Sequence, residues 1–160
     1  MTRGTLFLPD ANIWLNALNQ SSRDHLVCRQ WLDQATVAGW ELLLNDLTEC
    51  ALLRIGTHPQ LGISTPAVVL AFHKAMLNYP QARRCSPSGR HHEILSGFIT
   101  GLGLVGNDIN DAWLAALAVE HRATLVSLDE GFSRFPGLLW HNPIHHQIQA
   151  ATELSIPLEP

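Results

Sequence analysis

The stretch DINDAWLAALAVEHRATLVSLD, residues 108–129, decides the fold. Ala112, Leu114, Ala115, Ala116, Leu117 and Ala118 form an apolar run of strong helix formers, which predicts a helix over residues 108–121, closed at Arg122 and Ala123. Residues 124–128, TLVSL, change character and read as a short strand, and Asp129 follows it.

Toward the N-terminus the same alternation recurs. Residues 5–9 suit a buried strand, and Ile13, Trp14, Leu15, Ala17 and Leu18 follow at helical spacing. Residues 23–38 read as an amphipathic helix with Leu26, Val27, Trp31, Leu32 and Ala35 on one side, closed by Gly39. Residues 40–44 make a second strand. Asn45 or Asp46 can cap the helix behind it, which stops at Gly56. Thr65 and Pro66 open a helix that Tyr79 and Pro80 end. ARRCSPSGRHH, residues 82–92, is the most polar and turn-prone stretch, and residues 92–102 are helical again. Beyond Asp129, residues 132–136 form a short turn or helix and residues 138–140 a last strand. Short apolar strands alternating with helices imply an α/β fold: a three-layer α/β/α sandwich with a central parallel sheet covered on both faces. The chain has 160 residues, 46% of them hydrophobic, enough for one domain over residues 1–160, in which about 141–160 form an irregular C-terminal extension.

A net charge of −4 argues against a protein held on nucleic acid by a large uniform basic field. It leaves room for a metal-dependent nuclease, because a bound cation inverts the sign locally. No leader-like segment appears, and no apolar stretch approaches the ~18 residues of a membrane span, so a soluble, cytoplasmic protein without a membrane partner is expected. Cys28, Cys50 and Cys85 are widely spaced and include no C-x-x-C pair, which suggests buried free thiols.

Four acidic residues mark the joints between elements. Asp10 and Asp129 each follow a strand, while Glu49 and Asp111 lie early in helices. Sites in parallel α/β sheets lie beyond the carboxyl ends of the strands. Asp10 and Asp129 should therefore emerge at one edge, with Glu49 and Asp111 able to point toward them. Carboxylates sharing a site repel one another unless a cation compensates, and hard divalent ions such as Mg²⁺ or Mn²⁺ do so. For Asp10 or Asp111 taken alone, a helix cap is the simpler account.

Together with their surroundings these residues resemble the PIN-domain ribonucleases, and within them the VapC toxins of VapBC toxin–antitoxin pairs. D-A-N at residues 10–12 is similar to the family's first acidic motif and TECALLRI at 48–55 to its second. NDAWLAALAVEH at 110–121 and TLVSLDEGFSRFPGLLW at 124–140 are similar to the third and fourth, and these two are the specific ones. The resemblance implies a divalent-metal-dependent endoribonuclease that hydrolyses phosphodiesters of transfer or ribosomal RNA, is homodimeric, and is inhibited by a VapB-like protein antitoxin. Carried over by position, the four acids fall on Asp10, Glu49, Asp111 and Asp129. Asp10 and Asp129 would contact the metal, Asp111 would contact it or orient water, and Glu49 would serve a second metal or act as general base. Asn12 and Ser127 stand at supporting positions. Asp46, one helical turn before Glu49, could substitute for it, and Asp108 precedes Asp111 in the same way. Where the family often has a further acid two residues after the Asp129 position, this chain has Gly131, leaving Glu130 or nothing for that role.

Other features have blander readings. Arg54 could pair with Glu49 or face the substrate phosphate. Arg83, Arg84, Arg90, His91 and His92 read as a solvated loop, with contact to an RNA backbone as the sharper alternative. Trp14, Trp31 and Trp113 fit core packing, and Trp40 and Trp140 lie in or beside strands. His141, His145 and His146 look like zinc ligands, but Pro143 interrupts them and no cysteine is near. The apolar residues of the first two helices can exceed what one monomer buries, which would suit a homodimer or an antitoxin groove. An aspartate phosphatase would want a second Asp at Asn12. Both it and a receiver domain would want a lysine near a strand end, whereas Lys74, the only lysine, lies in a helix. A catalytically silent PIN-like module that binds RNA or protein is the remaining alternative.

Overall fold

Strands as short and apolar as LFLP and ELLL are stable only inside a sheet whose two faces are both covered. The computed structural model, which describes residues 5–145, has that architecture. In chain order the elements are β1 (Leu6–Pro9), α1 (Ala11–Leu18), α2 (His25–Ala38), β2 (Glu41–Leu44), α3 (Asp46–Gly56) and α4 (Pro66–Leu77). They continue with β3 (Ala82–Arg84), α5 (His91–Leu102), α6 (Asp108–His121), β4 (Thr124–Val126), a 3₁₀ turn (Glu130–Arg134) and β5 (Leu139–His141). The five strands pair in the order β3-β2-β1-β4-β5, every pair parallel. The chain steps outward from β1 to β3, then returns to the opposite side of β1 for β4. The switch point therefore falls between the carboxyl ends of β1 and β4, where open α/β sheets bind ligands.

Alternate strand residues feed the two cores. Leu8, Leu43 and Leu125 pack on one face with α5 and α6, while Phe7, Leu42, Leu44 and Val126 pack on the other with Trp14 of α1 and Trp31 of α2. Buried Ala112, Ala115, Ala116 and Ala118 let α6 lie close to the sheet, and Leu114 and Leu117 fill the space beside them, each burial worth roughly 1.5–3 kcal/mol. Gly39 closes α2 at φ 67°, a left-handed position that glycine adopts without strain, and turns the chain into β2.

Several sequence expectations need correction. The polar stretch at residues 82–92 contains β3, whose ladder comes from pairing with β2. Helix α2 begins at His25, and the last strand is displaced by one residue, to Leu139–His141. The β4 ladder ends at Val126, which leaves Ser127 and Leu128 free to face the sheet edge. Cys50 is exposed, unlike Cys28 and Cys85. Trp113 is only partly covered. On α2, Leu26 lies off the buried side expected for it and is exposed with Val37, α1 buries Ile13, Trp14 and Ala17, and further exposed apolar residues lie on α4: Val68, Leu70 and Leu77. No helix among the described residues is long and apolar enough to cross a membrane. His146 and the rest of the C-terminal extension beyond residue 145 lie outside the described residues.

The buried Asn45 caps α3. Its Oδ1 accepts from the Thr48 amide at 3.0 Å while its Nδ2 donates to the Thr48 hydroxyl at 3.1 Å. Asn45→Ala should destabilise the protein by about 1 kcal/mol, read from urea unfolding; no change would mean that α3 is held by packing alone.

Candidate active site

Asp10 stands where β1 passes into α1, and it does cap that helix: Oδ1 accepts from the Ala11 amide at 2.6 Å. Its other oxygen is turned across the switch point. Oδ2 accepts from the Ser127 hydroxyl at 2.8 Å and from the Asn12 side-chain amide at 3.2 Å. Asn12 also donates to Ser127 Oγ at 2.9 Å and accepts from the Leu128 amide at 3.2 Å, and Ser127 Oγ accepts from the Asp129 amide at 3.1 Å. This net ties the end of β1 to the end of β4. It forms because Ser127, fully buried, has just left the β4 ladder.

Three carboxylates share the field at this edge. Burial pushes the Asp10 carboxyl up to about 6; hydrogen bonds from Ser127 and Ala11 pull it back, and the charges of Asp111 and Asp129 add to the rise. Asp111, in the first turn of α6, is raised by burial and then by Asp129, with Arg134 opposing and Asp108 adding. Asp129 is exposed at the head of the 3₁₀ turn and accepts from the Gly131 amide at 2.8 Å. Arg134 lies between Asp108 and Asp111, at 3.3 and 3.4 Å, with its guanidinium 5.1 Å from the Phe135 ring centroid.

Asp10 and Asp111 line one cleft together with Thr48, Ala51 and Arg54 of α3 and Asn110 of α6. Arg54 is exposed and makes no ion pair among the described residues, so it does not pair with Glu49. Glu49 lines a neighbouring cleft with Asp46, Leu53, Leu70, His73 and Arg84. Helical phase explains the offset: positions 47 and 51 face Asp10, 49, 53 and 57 lie on the adjoining face, and Cys50 and Arg54 stand on the boundary and line both clefts. The Glu49 carboxylate is buried and fully engaged. Arg84 grips both oxygens, at 2.5 and 2.9 Å, and His73 Nε2 lies 2.9 Å from Oε1. Burial would raise this carboxyl, but the hydrogen bonds and charges of Arg84 and His73 outweigh it and hold the group below its ordinary value.

Asp46 is exposed and pairs with Arg84 at 2.9 Å, and Asp108 pairs with Arg134. Arg83 meets Glu41 at 3.4 Å, and His91 is buried. Glu130 meets His145 at 2.5 Å. Lys74 is exposed on α4 and does not line the Asp10 cleft. Arg134 and His73 went unread in the sequence, and Arg84, read there as part of a solvated loop or a contact to RNA, is held on Glu49. Arg134 was visible inside the fourth motif, whereas Arg84 depended on β3.

Among the described residues no three His, Cys, Asp or Glu side chains are already gathered as a ligand set, near His141 and His145 or elsewhere. At the Asp10 edge the reason is local: Asp10 is turned toward Ser127, Asp111 toward Arg134 and Asp129 toward its own turn. The donor chemistry nevertheless fits a hard divalent ion: three carboxylates come from separate elements, Asp111 and Asp129 add to the rise of the Asp10 carboxyl, and Asp129 to that of Asp111, where Arg134 opposes it.

Comparison with known proteins converges on one family. Residues 7–138 match the PIN domain. Ribonuclease VapC37 of Mycobacterium tuberculosis is 37% identical over 136 residues, covering 84% of this chain and 94% of that protein. Ribonuclease VapC31 of the same organism is 33% identical, over 81% and 93%. Among solved structures, VapBC2 from Rickettsia felis bound to a DNA fragment from its promoter superposes with a TM-score of 0.66 at 17% identity, over 86% of this chain and 98% of the matched one. VapC20 of Mycobacterium tuberculosis, a sarcin-ricin loop cleaving toxin, superposes with a TM-score of 0.60 at 12% identity, over 83% and 98%.

Proposed function

This chain belongs to the PIN-domain family, and from that premise we propose that it is a divalent-metal-dependent endoribonuclease of the VapC type, a toxin restrained by a VapB-like protein antitoxin. The observation that carries the reading is that Asp10 and Asp111 line one cleft at the switch point, near enough to Asp129 for both charges to add to the burial that raises the Asp10 carboxyl to about 6. The proposed substrate is transfer or ribosomal RNA in the cytoplasm, and the proposed assembly is a homodimer. The exposed apolar residues of α2 and α4 support protein contacts of that kind.

In this reading Asp10, Asp111 and Asp129 would hold Mg²⁺ or Mn²⁺ through hard oxygen donors. Such an ion, when bound, supplies positive charge that acidifies water and neutralises the charge developing on the phosphoryl group. Asn12 and Ser127 fix the direction of the Asp10 oxygens. Arg54, unpaired at the cleft, meets the substrate phosphate. Arg134 screens Asp111 and Asp108. Glu49 is saturated by Arg84 and His73, and its role is to hold Arg84 beside the cleft rather than to accept a proton.

Purified, antitoxin-free protein with Mg²⁺ or Mn²⁺ should cut total cellular RNA into discrete fragments that disappear in EDTA and with Asp10→Asn. Intact RNA under all conditions would overturn the nuclease in favour of a silent binding module.

A further inference from the structure

Beside the acidic cleft lies a second hollow, whose lining includes Asn45, Asp46, Leu47, Cys85, Asn110 and Trp113. It shares Leu47 and Asn110 with the acidic cleft, so the two form one continuous surface. Trp113 follows Asp111 by two positions on α6 and is 38% exposed, whereas Trp14 and Trp31 are 4% and 5% exposed. Trp40 and Trp140, packed against the two cores, are half-buried, so Trp113 is the most exposed of the five indoles. This indole is also clamped. The buried His91 ring stands against it with centroids 4.5 Å apart and planes at 60°, and His91 Nε2 lies 3.1 Å from the Trp113 carbonyl oxygen. Next to it, the exposed side-chain amide of Asn110 makes no hydrogen bond among the described residues.

Resting on the endoribonuclease reading above, we propose that this hollow is the subsite for an unpaired purine base adjacent to the phosphate cut in the acidic cleft, with Trp113 stacking on the base and Asn110 bonding its edge. Unpaired RNA bases are recognised by stacking on aromatic side chains and by hydrogen bonds to their exposed edges. A ring already held by His91 loses little freedom when a base settles on it. The free amide carries one donor group and one acceptor, the pair that a purine edge complements. No Lys, Arg or His is among the described residues lining the hollow, and its one charged residue, Asp46, is already paired with Arg84, so the hollow suits a base and offers a phosphate no partner. Arg54, in the adjoining cleft, supplies the phosphate contact. A purine is favoured over a pyrimidine because its larger ring covers more of the indole.

The test uses full-length protein carrying Asp10→Asn, so that RNA is bound and not cut, and measures the anisotropy of fluorescein-labelled single-stranded oligoadenylate and oligouridylate of ten nucleotides. Oligoadenylate should bind the tighter, and adding Trp113→Ala should weaken it about tenfold, while Trp113→Phe retains most of the affinity. Asn110→Ala, at an exposed position, tests the same subsite independently of the indole and should also reduce the preference for adenine. Equal binding of the two oligonucleotides, or an oligoadenylate affinity that both alanine variants leave unchanged, overturns the subsite. Sequencing the fragment ends made from total RNA by the otherwise wild-type enzyme separates the two readings. Cleavage whose base preference beside the cut survives Trp113→Ala overturns the subsite alone. A wild-type protein that cuts nothing, yet loses its adenine preference with Trp113→Ala, overturns the nuclease and supports the subsite.

Discussion

Asp10→Asn should lower metal-dependent RNA cleavage by on the order of 10³-fold while making the metal-free protein more stable. The activity loss follows from removing an anionic oxygen at the point where β1 and β4 meet, the donor that Ser127 and Asn12 hold in place. The stability gain follows from the same carboxylate's environment. Its pKa in the folded protein, about 6, lies above the ordinary 3.8, so between those values the folded state binds the extra proton. For a carboxyl shifted in this direction, stability is greatest at low pH and is lost as pH rises through the window from about 4 to about 6. Above that window the charged form costs roughly 2 kcal/mol, after allowance for the partial solvent access of the group. Asparagine keeps the size and carries no charge; its one oxygen can still accept from Ser127 and Asn12, while its NH2 group cannot accept from the Ala11 amide. In EDTA, the stability of the variant relative to wild type should be constant below pH 4, grow in the variant's favour through pH 6 and then level off. Glu49 and Glu120 are both held below their ordinary values and shift stability in the opposite sense, but they do so equally in the two proteins and cancel in the difference. Urea unfolding across pH reads this directly. A difference that stays flat from pH 4 to 7 would refute the buried, mutually repelling carboxylates, and retained cleavage would refute Asp10 as a metal contact.

The elements most legible in the sequence are those whose burial is written in local composition. Helix α6 runs from Asp108 to His121 as its alanine and leucine pattern predicts, and β4 follows at once, because both are covered on nearly every side. β3 was illegible for the opposite reason. Ala82, Arg83 and Arg84 form an edge strand that is mostly exposed, and what makes them a strand is the ladder with Leu42–Leu44, a tertiary fact that three polar-leaning residues do not encode. That omission hid the partner of Glu49. The charged side chain that reaches it, Arg84, lies 35 positions away and comes close only because β3 pairs with β2. Helical phase carried information that acid spacing alone did not: Leu47 and Ala51 define the face of α3 turned to Asp10, Arg54 borders both clefts, and Glu49 is off that face. Trp113 was misread because an apolar helical pattern locates a stripe without saying where the neighbouring element ends. Its exposure depends on the hollow left between α3, α6 and the segment after β3.

Ser127→Ala should weaken divalent-ion affinity about 10- to 100-fold without removing any carboxylate. The Ser127 hydroxyl is fully buried and has three partners: it donates to Asp10 and accepts from the Asn12 side chain and the Asp129 amide. Alanine leaves the Asp129 amide without that acceptor and loosens the turn that carries the third carboxylate, at a cost of about 1–3 kcal/mol for the stranded polar group. The hydrogen bond from Ser127 is also the strongest influence lowering the Asp10 carboxyl. Without it the pKa rises further above 6, and protons compete with the cation to a higher pH. The two effects add at subsaturating metal, where cleavage should fall and the acidic limb of its pH profile should move upward. High Mn²⁺ and alkaline pH should restore most of the rate, because all three carboxylates are still present. Asp10→Asn, which lacks one of them, should not be rescued in this way. Titrating Mn²⁺ by calorimetry against both variants separates a positioning role from a merely structural one. An unchanged Mn²⁺ affinity and an unchanged pH profile in folded Ser127→Ala protein would leave the hydroxyl as a strand-end tie with no part in preparing Asp10.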